Sequence, residues 1–278
     1  MNPKINAIVS MRPREVLMAE ARAAERMPRR GWLHGVPFAV KDLVETAGIL
    51  TTRGSPLLAD HVPEADDLLA ARLRGAGAIL IGKTNVPEFG LGSHSYNPVH
   101  GTTRNPYDLS RTAGGSSGGA AAALAARLVA VADGSDFMGS LRNPAAFCNV
   151  YGFRPTYGRV PADPVGDVFL HQFATNGPMA RTSRDLALLL DTIAGPDPRD
   201  PHALPLHPSF AEGLTAGIAD GPHRSPKGLR HGYGVHAIGS NVPLNMLRKW
   251  MGHASLEVTA IYANALGAEE QGIAARMW

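Results

Sequence analysis

The chain carries a single cysteine, Cys148, among 278 residues. One thiol excludes a disulfide framework and a cysteine-based zinc site, and it fits a reducing compartment. Long apolar runs are missing too. The most apolar stretch, residues 120–132, is mostly alanine, contains Arg127 and is too short to span a bilayer. The N-terminal stretch is broken by Lys4, Arg12 and Arg14 and lacks the apolar centre of a secretory signal. A soluble cytoplasmic protein with no membrane partner is expected. No charge sign dominates: 27 Lys and Arg against 24 Asp and Glu leave +3, which implies no nucleic-acid partner by itself. The chain is 44% hydrophobic and 18% charged, which excludes global disorder. Glycine and proline are plentiful, at 31 and 22 residues, too many for a coiled coil or a plain helix bundle. A loop-rich α/β protein of one large domain or two ordinary ones fits best.

Organisation along the chain supports this class. Residues 36–40 are apolar but contain Pro37, which predicts an edge or irregular strand running into Lys41. Residues 65–75 place Leu68, Leu69 and Leu73 on one side of a helix and Arg72 and Arg74 on the other. Residues 78–81 are continuously apolar, as in a strand buried on both faces. Residues 92–118 form a long loop rich in Ser, Asn, Pro and Gly. An Ala-rich helix over 119–127 and a strand over 128–132 follow. Thr182-Ser183-Arg184-Asp185 is a capping box whose helix ends at Gly195-Pro196. Residues 196–226 hold seven prolines and read as a linker. Beyond it, Leu244, Leu247 and Trp250 recur at helical spacing after Pro243, and Ser255 caps a further segment.

Two motifs invite the wrong chemistry. Residues 77–84, GAILIGKT, match the phosphate-loop pattern letter for letter. A phosphate cradle needs its four middle residues in a loop, and here they are the strand. Residues 114–118, GGSSG, match a nucleophile elbow, but the preceding 105–113 is polar and contains Pro106.

Three reactive side chains stand in irregular or Gly-rich settings. Lys41 ends an apolar strand, Ser116 and Ser117 sit in a Gly-flanked loop at a helix start, and Ser140 follows another strand. Small residues let the backbone approach a substrate closely, and helix starts present N–H groups to developing negative charge. Serine needs a base to become a nucleophile. A lysine supplies one if burial strips its charge, and a second serine can relay the proton. Any one of these residues alone reads more simply as a turn serine or a solvated lysine.

The wider pattern resembles the amidase signature family. The resemblance rests on GVPFAVKD (35–42), GKTNVPEF (82–89), GGSSGG (114–119) and GSLRNPAAF (139–147). GFRPTYGRV (152–160) and GPMART (177–182) continue it, and together these motifs cover about residues 3–210. The fold it implies is a mixed twisted sheet flanked by helices. The chemistry it implies is hydrolysis of a carboxylic amide by a Ser–cis-Ser–Lys triad with no cofactor and no metal. Ser140 matches the nucleophile, Ser116 the bridging serine after a cis peptide at Gly115, and Lys41 the base. The backbone N–H groups of Phe137, Met138 and Gly139 match the oxyanion hole, and Ser117 and Asp136 match loop-fixing positions. Met138 stands where the family usually has glycine. The family's domain is longer than the matched region, so an incomplete domain over 1–210 with reduced turnover is expected. A partner subunit or a homo-oligomer would then cover its exposed sheet edges.

The tail carries a second resemblance. After a linker over 211–226, residues 227–278 resemble a small all-α C-terminal fragment of a tyrosine recombinase, or phage integrase. KGLRH (227–231), LRKWMGH (247–253) and TAIY (259–262) carry the likeness, so Arg230, His253 and Tyr262 match its catalytic positions. A site for phosphate chemistry needs several more cations than these. No recombination and at most weak, salt-sensitive nucleic-acid binding is expected. The alternative to an amidase is thus an inert chimeric fragment or a weak DNA-interaction module.

Overall fold

Short apolar strands alternate with helices along most of the chain, and the computed structural model arranges them as the alternation predicts. It describes residues 1–164, 173–214, 237–238, 243–251, 255–257 and 260. Two compact units divide at residue 215, Met1–Thr215 and Ala216–Trp278.

In the first unit, β2 (Pro37–Lys41) is buried from Phe38 onward. It pairs in parallel with β3 (Ile79–Thr84), and β3 pairs antiparallel with β1 (Ile8–Val9). The order β1-β3-β2 leaves β2 at an edge, where Pro37 costs no ladder bond. Six of the eight phosphate-loop letters, 79–84, are strand β3 itself, and the N–H groups of Gly77 and Ala78 donate to the Arg74 and Leu73 carbonyls, so no cradle forms. The helix α3 (Leu68–Gly75) buries Leu68, Leu69, Ala70 and Leu73. It starts three residues later than its periodicity predicts because Asp66 and Asp67 accept the N–H groups of Ala47 and Glu45.

A second sheet has β6 (Val131–Asp136) paired antiparallel with β8 (Thr175–Ala180), which pairs with β7 (Tyr151–Gly152). The sheet expected as one is therefore two three-stranded sheets, with β2 and β6 at facing edges. The helix α4 (Gly118–Ala125) is buried from Gly118 to Leu124, which is why alanine fills it: a larger residue has no free face. The predicted strand over 128–132 begins three residues late. Arg127 adopts φ 57° and Leu128 N–H donates to the Ala123 carbonyl, so the helix exit consumes that stretch. The long loop before α4 contains a small hairpin of β4 (Tyr96–Asn97) and β5 (Gly101–Thr102) and an isolated antiparallel bridge between Arg104 and Thr112.

The capping box is realised. Thr182 Oγ1 accepts the Asp185 N–H at 3.1 Å, opening α6 (Ser183–Ile193), and Gly195 follows its end with φ 104°. Its Leu189, Leu190 and Ile193 pack with Phe38, Val40, Leu69, Leu73 and Leu80 in one of two core clusters. The other surrounds α4.

In the second unit, the helix Leu244–Met251 matches the predicted spacing and buries Leu247. Arg230, His253 and Tyr262 lie outside the described residues. No helix among the described residues is long and apolar enough to cross a membrane.

Candidate active site

The buried end of β2 delivers Lys41 beneath the Gly-rich loop at the start of α4. Its side chain is 1% exposed, and its Nζ lies 2.8 Å from Ser116 Oγ, 2.8 Å from Ser117 Oγ and 2.9 Å from Ser135 Oγ. Burial pushes the Lys41 amine down to about 7, against the opposing pull of Asp133 and Asp136. The amine thus reaches its neutral form near physiological pH inside a ring of hydroxyls.

The loop is held by backbone contacts. The Gly115–Ser116 peptide is cis, and a Cβ on Gly115 would stand 2.7 Å from the His94 backbone nitrogen, so this approach requires glycine. Ser95 Oγ donates to the Ser116 carbonyl at 3.2 Å and accepts the Gly118 N–H at 3.0 Å.

Ser140 sits half-buried beyond β6. Its carbonyl accepts the Ser117 N–H at 3.2 Å, which joins the two loops. Its hydroxyl makes no hydrogen bond among the described residues. The structure therefore brings Lys41 and Ser116 into contact and places Ser140 next door, without a hydrogen bond from Ser116 to Ser140.

The loop 137–140 is shaped by Asp136. This buried carboxylate accepts the Gly139 N–H at 2.7 Å, the Leu141 N–H at 3.1 Å, and two N–H groups of Arg142. Arg154 Nη1 adds a bond at 2.9 Å and also donates to the Asp136 and Phe137 carbonyls. Burial would raise this acid, but the bonds from Arg142, Gly139, Arg154 and Leu141 outweigh it and hold it well below the usual carboxylate range. Asp136 thus ties Gly139, Leu141, Arg142 and Arg154 to one carboxylate.

One part of the expected oxyanion hole is already occupied. The Gly139 N–H is spent on Asp136, whereas the N–H groups of Phe137, Met138 and Ser140 have no acceptor among the described residues. Gly139 takes φ 116°, a conformation costly for any other residue, while Met138 keeps an ordinary negative-φ backbone. The usual glycine is therefore not demanded at Met138.

The sequence pattern did not single out Asp133, Ser135 or Arg154. Asp133 accepts the Lys41 N–H through both carboxylate oxygens, at 3.0 and 3.2 Å. The signal for it and Ser135 was present: alternate residues of a strand share a face, so two polar side chains at spacing two in a buried strand point to one polar site.

A family model described as Amidase matches residues 1–242. A glutamyl-tRNA(Gln) amidotransferase subunit of Thermus thermophilus is 45% identical over 244 residues, 87% of this chain and 49% of that protein. An acylamidase of Rhodococcus erythropolis is 39% identical over 274 residues, 98% of this chain and 53% of that one. The solved structure of a bacterial aryl acylamidase of the amidase signature enzymes superposes with a TM-score of 0.72 at 27% identity, covering 99% of this chain and 69% of that one. The chain spans about half the length of these curated relatives. The family match crosses the expected linker and the start of the recombinase-like tail, and no finding supports a recombinase fragment there.

Proposed function

The chain belongs to the amidase family, and from that premise we propose that it hydrolyses the C–N bond of a small carboxylic amide through Ser140, Ser116 and Lys41. The observation that carries this reading is the buried Lys41 amine, brought down to about 7 and 2.8 Å from the Ser116 hydroxyl.

Neutral Lys41 takes the Ser116 proton as Ser116 takes that of Ser140. The Ser140 oxygen bonds to the amide carbon, and the carbonyl oxygen becomes an oxyanion facing the free N–H groups of the 137–140 loop. Each such donor contributes about 3–4 kcal/mol to transition-state stabilisation. As the C–N bond breaks, the same relay returns the proton to the departing amine. Water then gives a proton to the relay and attacks the acyl–Ser140 ester. The C–O bond breaks, the acid departs, and Ser140 recovers its proton. The Ser116–Ser140 hydrogen bond closes on substrate binding, as catalytic hydrogen bonds commonly do. Ser117 and Asp136 fix the loops. One relative is by name a subunit of an amidotransferase, which supports a further reading in which this chain works beside a partner protein. No observation favours the DNA-interaction reading of residues 227–278.

A fluorophosphonate followed by peptide mass spectrometry tests the proposal. A single adduct on Ser140, absent from Ser140→Ala, is the expected result. Folded protein that takes up no reagent at Ser140 overturns it.

A further inference from the structure

Asp133 is a buried acid for which the reaction above has no use. It stands on β6, the edge strand of one sheet, and faces β2, the edge strand of the other. Across this seam the Lys41 N–H meets a carboxylate rather than a neighbouring strand's carbonyl. The carboxylate is 1% exposed, and no cationic side chain hydrogen-bonds to it among the described residues. An unpaired buried acid is costly, so its placement beside the amine-bearing residue calls for a reason.

We propose that Asp133 is the positioning residue for the Lys41 base, clamping its main chain across the seam and tuning its amine by negative charge. This rests on the amide-hydrolase reading for its purpose, but not for its test. The charged groups around the seam are few. Lys41 comes from β2, Lys83 from β3 and Asp136 from β6; Asp42 follows β2. Burial raises Asp133 to about 6, and the Lys41 N–H, Lys83 and Lys41 oppose that rise. Asp133 and Lys41 each favour the charged form of the other across the seam. The Asp133 charge favours the ammonium, so removing it must make Lys41 a weaker base.

The test follows the Lys41 Cε signal by NMR against pH in 13C-lysine protein, assigned by its loss in Lys41→Met. Asp133→Asn keeps an acceptor for the Lys41 N–H and removes the charge. The Lys41 midpoint is expected to fall by about one pH unit or more. The acid limb of kcat/KM should move with it. An unchanged or raised midpoint overturns the proposal. If Asp133→Asn does not fold, the wild-type Asp133 carboxyl 13C signal decides. It should shift through the Lys41 titration, and a flat response overturns the proposal. Absence of Ser140 labelling would sink the hydrolase reading while leaving this titration interpretable.

Discussion

Lys41 Nζ lies 2.8 Å from Ser116 Oγ although the residues are 75 positions apart, and the same nitrogen reaches Ser117 at an equal distance. Three hydroxyls meet this amine, Ser135 Oγ at 2.9 Å among them, and the two on the Gly-rich loop raise the question of which carries the proton. Ser117 is otherwise engaged: its hydroxyl also accepts the Ser135 N–H at 3.3 Å, and its own N–H donates to Ser140. The Ser116 hydroxyl has Lys41 as its one hydrogen-bond partner among the described residues. Ser116→Ala should therefore lower kcat/KM for amide hydrolysis by about 10²–10⁴-fold, the usual worth of positioned acid–base catalysis. Ser117→Ala should cost less in rate and more in stability. Rates and denaturation midpoints of both variants check this, and equal rate losses would remove the distinction.

The buried amine also sets a pH dependence. With Lys41 near 7, the rate of Ser140 labelling should climb as pH rises through about 7 and then level. Stability should move in the same direction. Lys41 and Lys83 are held at about 7 and about 8 in the fold, below the ordinary lysine value, so above pH 7 the unfolded chain binds more protons. Unfolding then becomes harder as pH rises from about 7 toward 10, and easier as it falls through that window. Lys83→Met should flatten this slope in urea titrations. A slope identical to wild type would show that Lys83 does not titrate there.

Asp136 organises the loop through five hydrogen bonds from Gly139, Leu141, Arg142 and Arg154. Asp136→Asn removes the charge that makes the arginine bonds strong, at a cost of about 1.5–3 kcal/mol. It should also misplace the N–H groups that face the oxyanion, so labelling at Ser140 should fall steeply. Because this carboxyl is held low in the fold, its contribution is present above the unfolded Asp value and lost as pH falls through the folded one. Denaturation at pH 7 and labelling kinetics check both effects. A variant with wild-type labelling would free the loop from Asp136.

Much of this was legible in the sequence, for identifiable reasons. Lys41 ends an apolar run, where a strand must stop, while Ser116 and Ser140 stand in Gly-bearing segments next to a helix start and after a strand. The capping box around Thr182 is a local device, and it folded as written. What escaped depends on pairing at a distance. β8 contains Asn176, Gly177 and Pro178 and carries no strand signal of its own; it becomes a strand because β6 pairs along its length. Asp133 lies one residue past the strand expected over 128–132, and its partner is the Lys41 backbone 92 residues away. The Gly139 N–H was assigned to the substrate because the sequence does not reveal that Asp136 captures it first.

Met138 and Gly139 offer opposite expectations from adjacent positions. Gly139 has φ 116°, and an added Cβ would stand 2.8 Å from Asn143 Nδ2. The amide could swing aside, but the backbone conformation would remain wrong for alanine, at a cost of about 1–3 kcal/mol. The chain would relieve that strain by turning the 139–140 peptide, which carries a candidate N–H donor. Gly139→Ala should therefore lose Ser140 labelling by more than its stability loss explains. Met138 has an ordinary backbone and a side chain 81% exposed. Met138→Gly removes no packing and gives the unfolded chain more freedom, worth up to about 1 kcal/mol. Labelling should stay within a few-fold of wild type, because the Met138 N–H is kept whatever side chain it bears. Measured side by side, the pair separates backbone shape from side-chain identity in this loop. A large loss in Met138→Gly with none in Gly139→Ala would reverse the assignment.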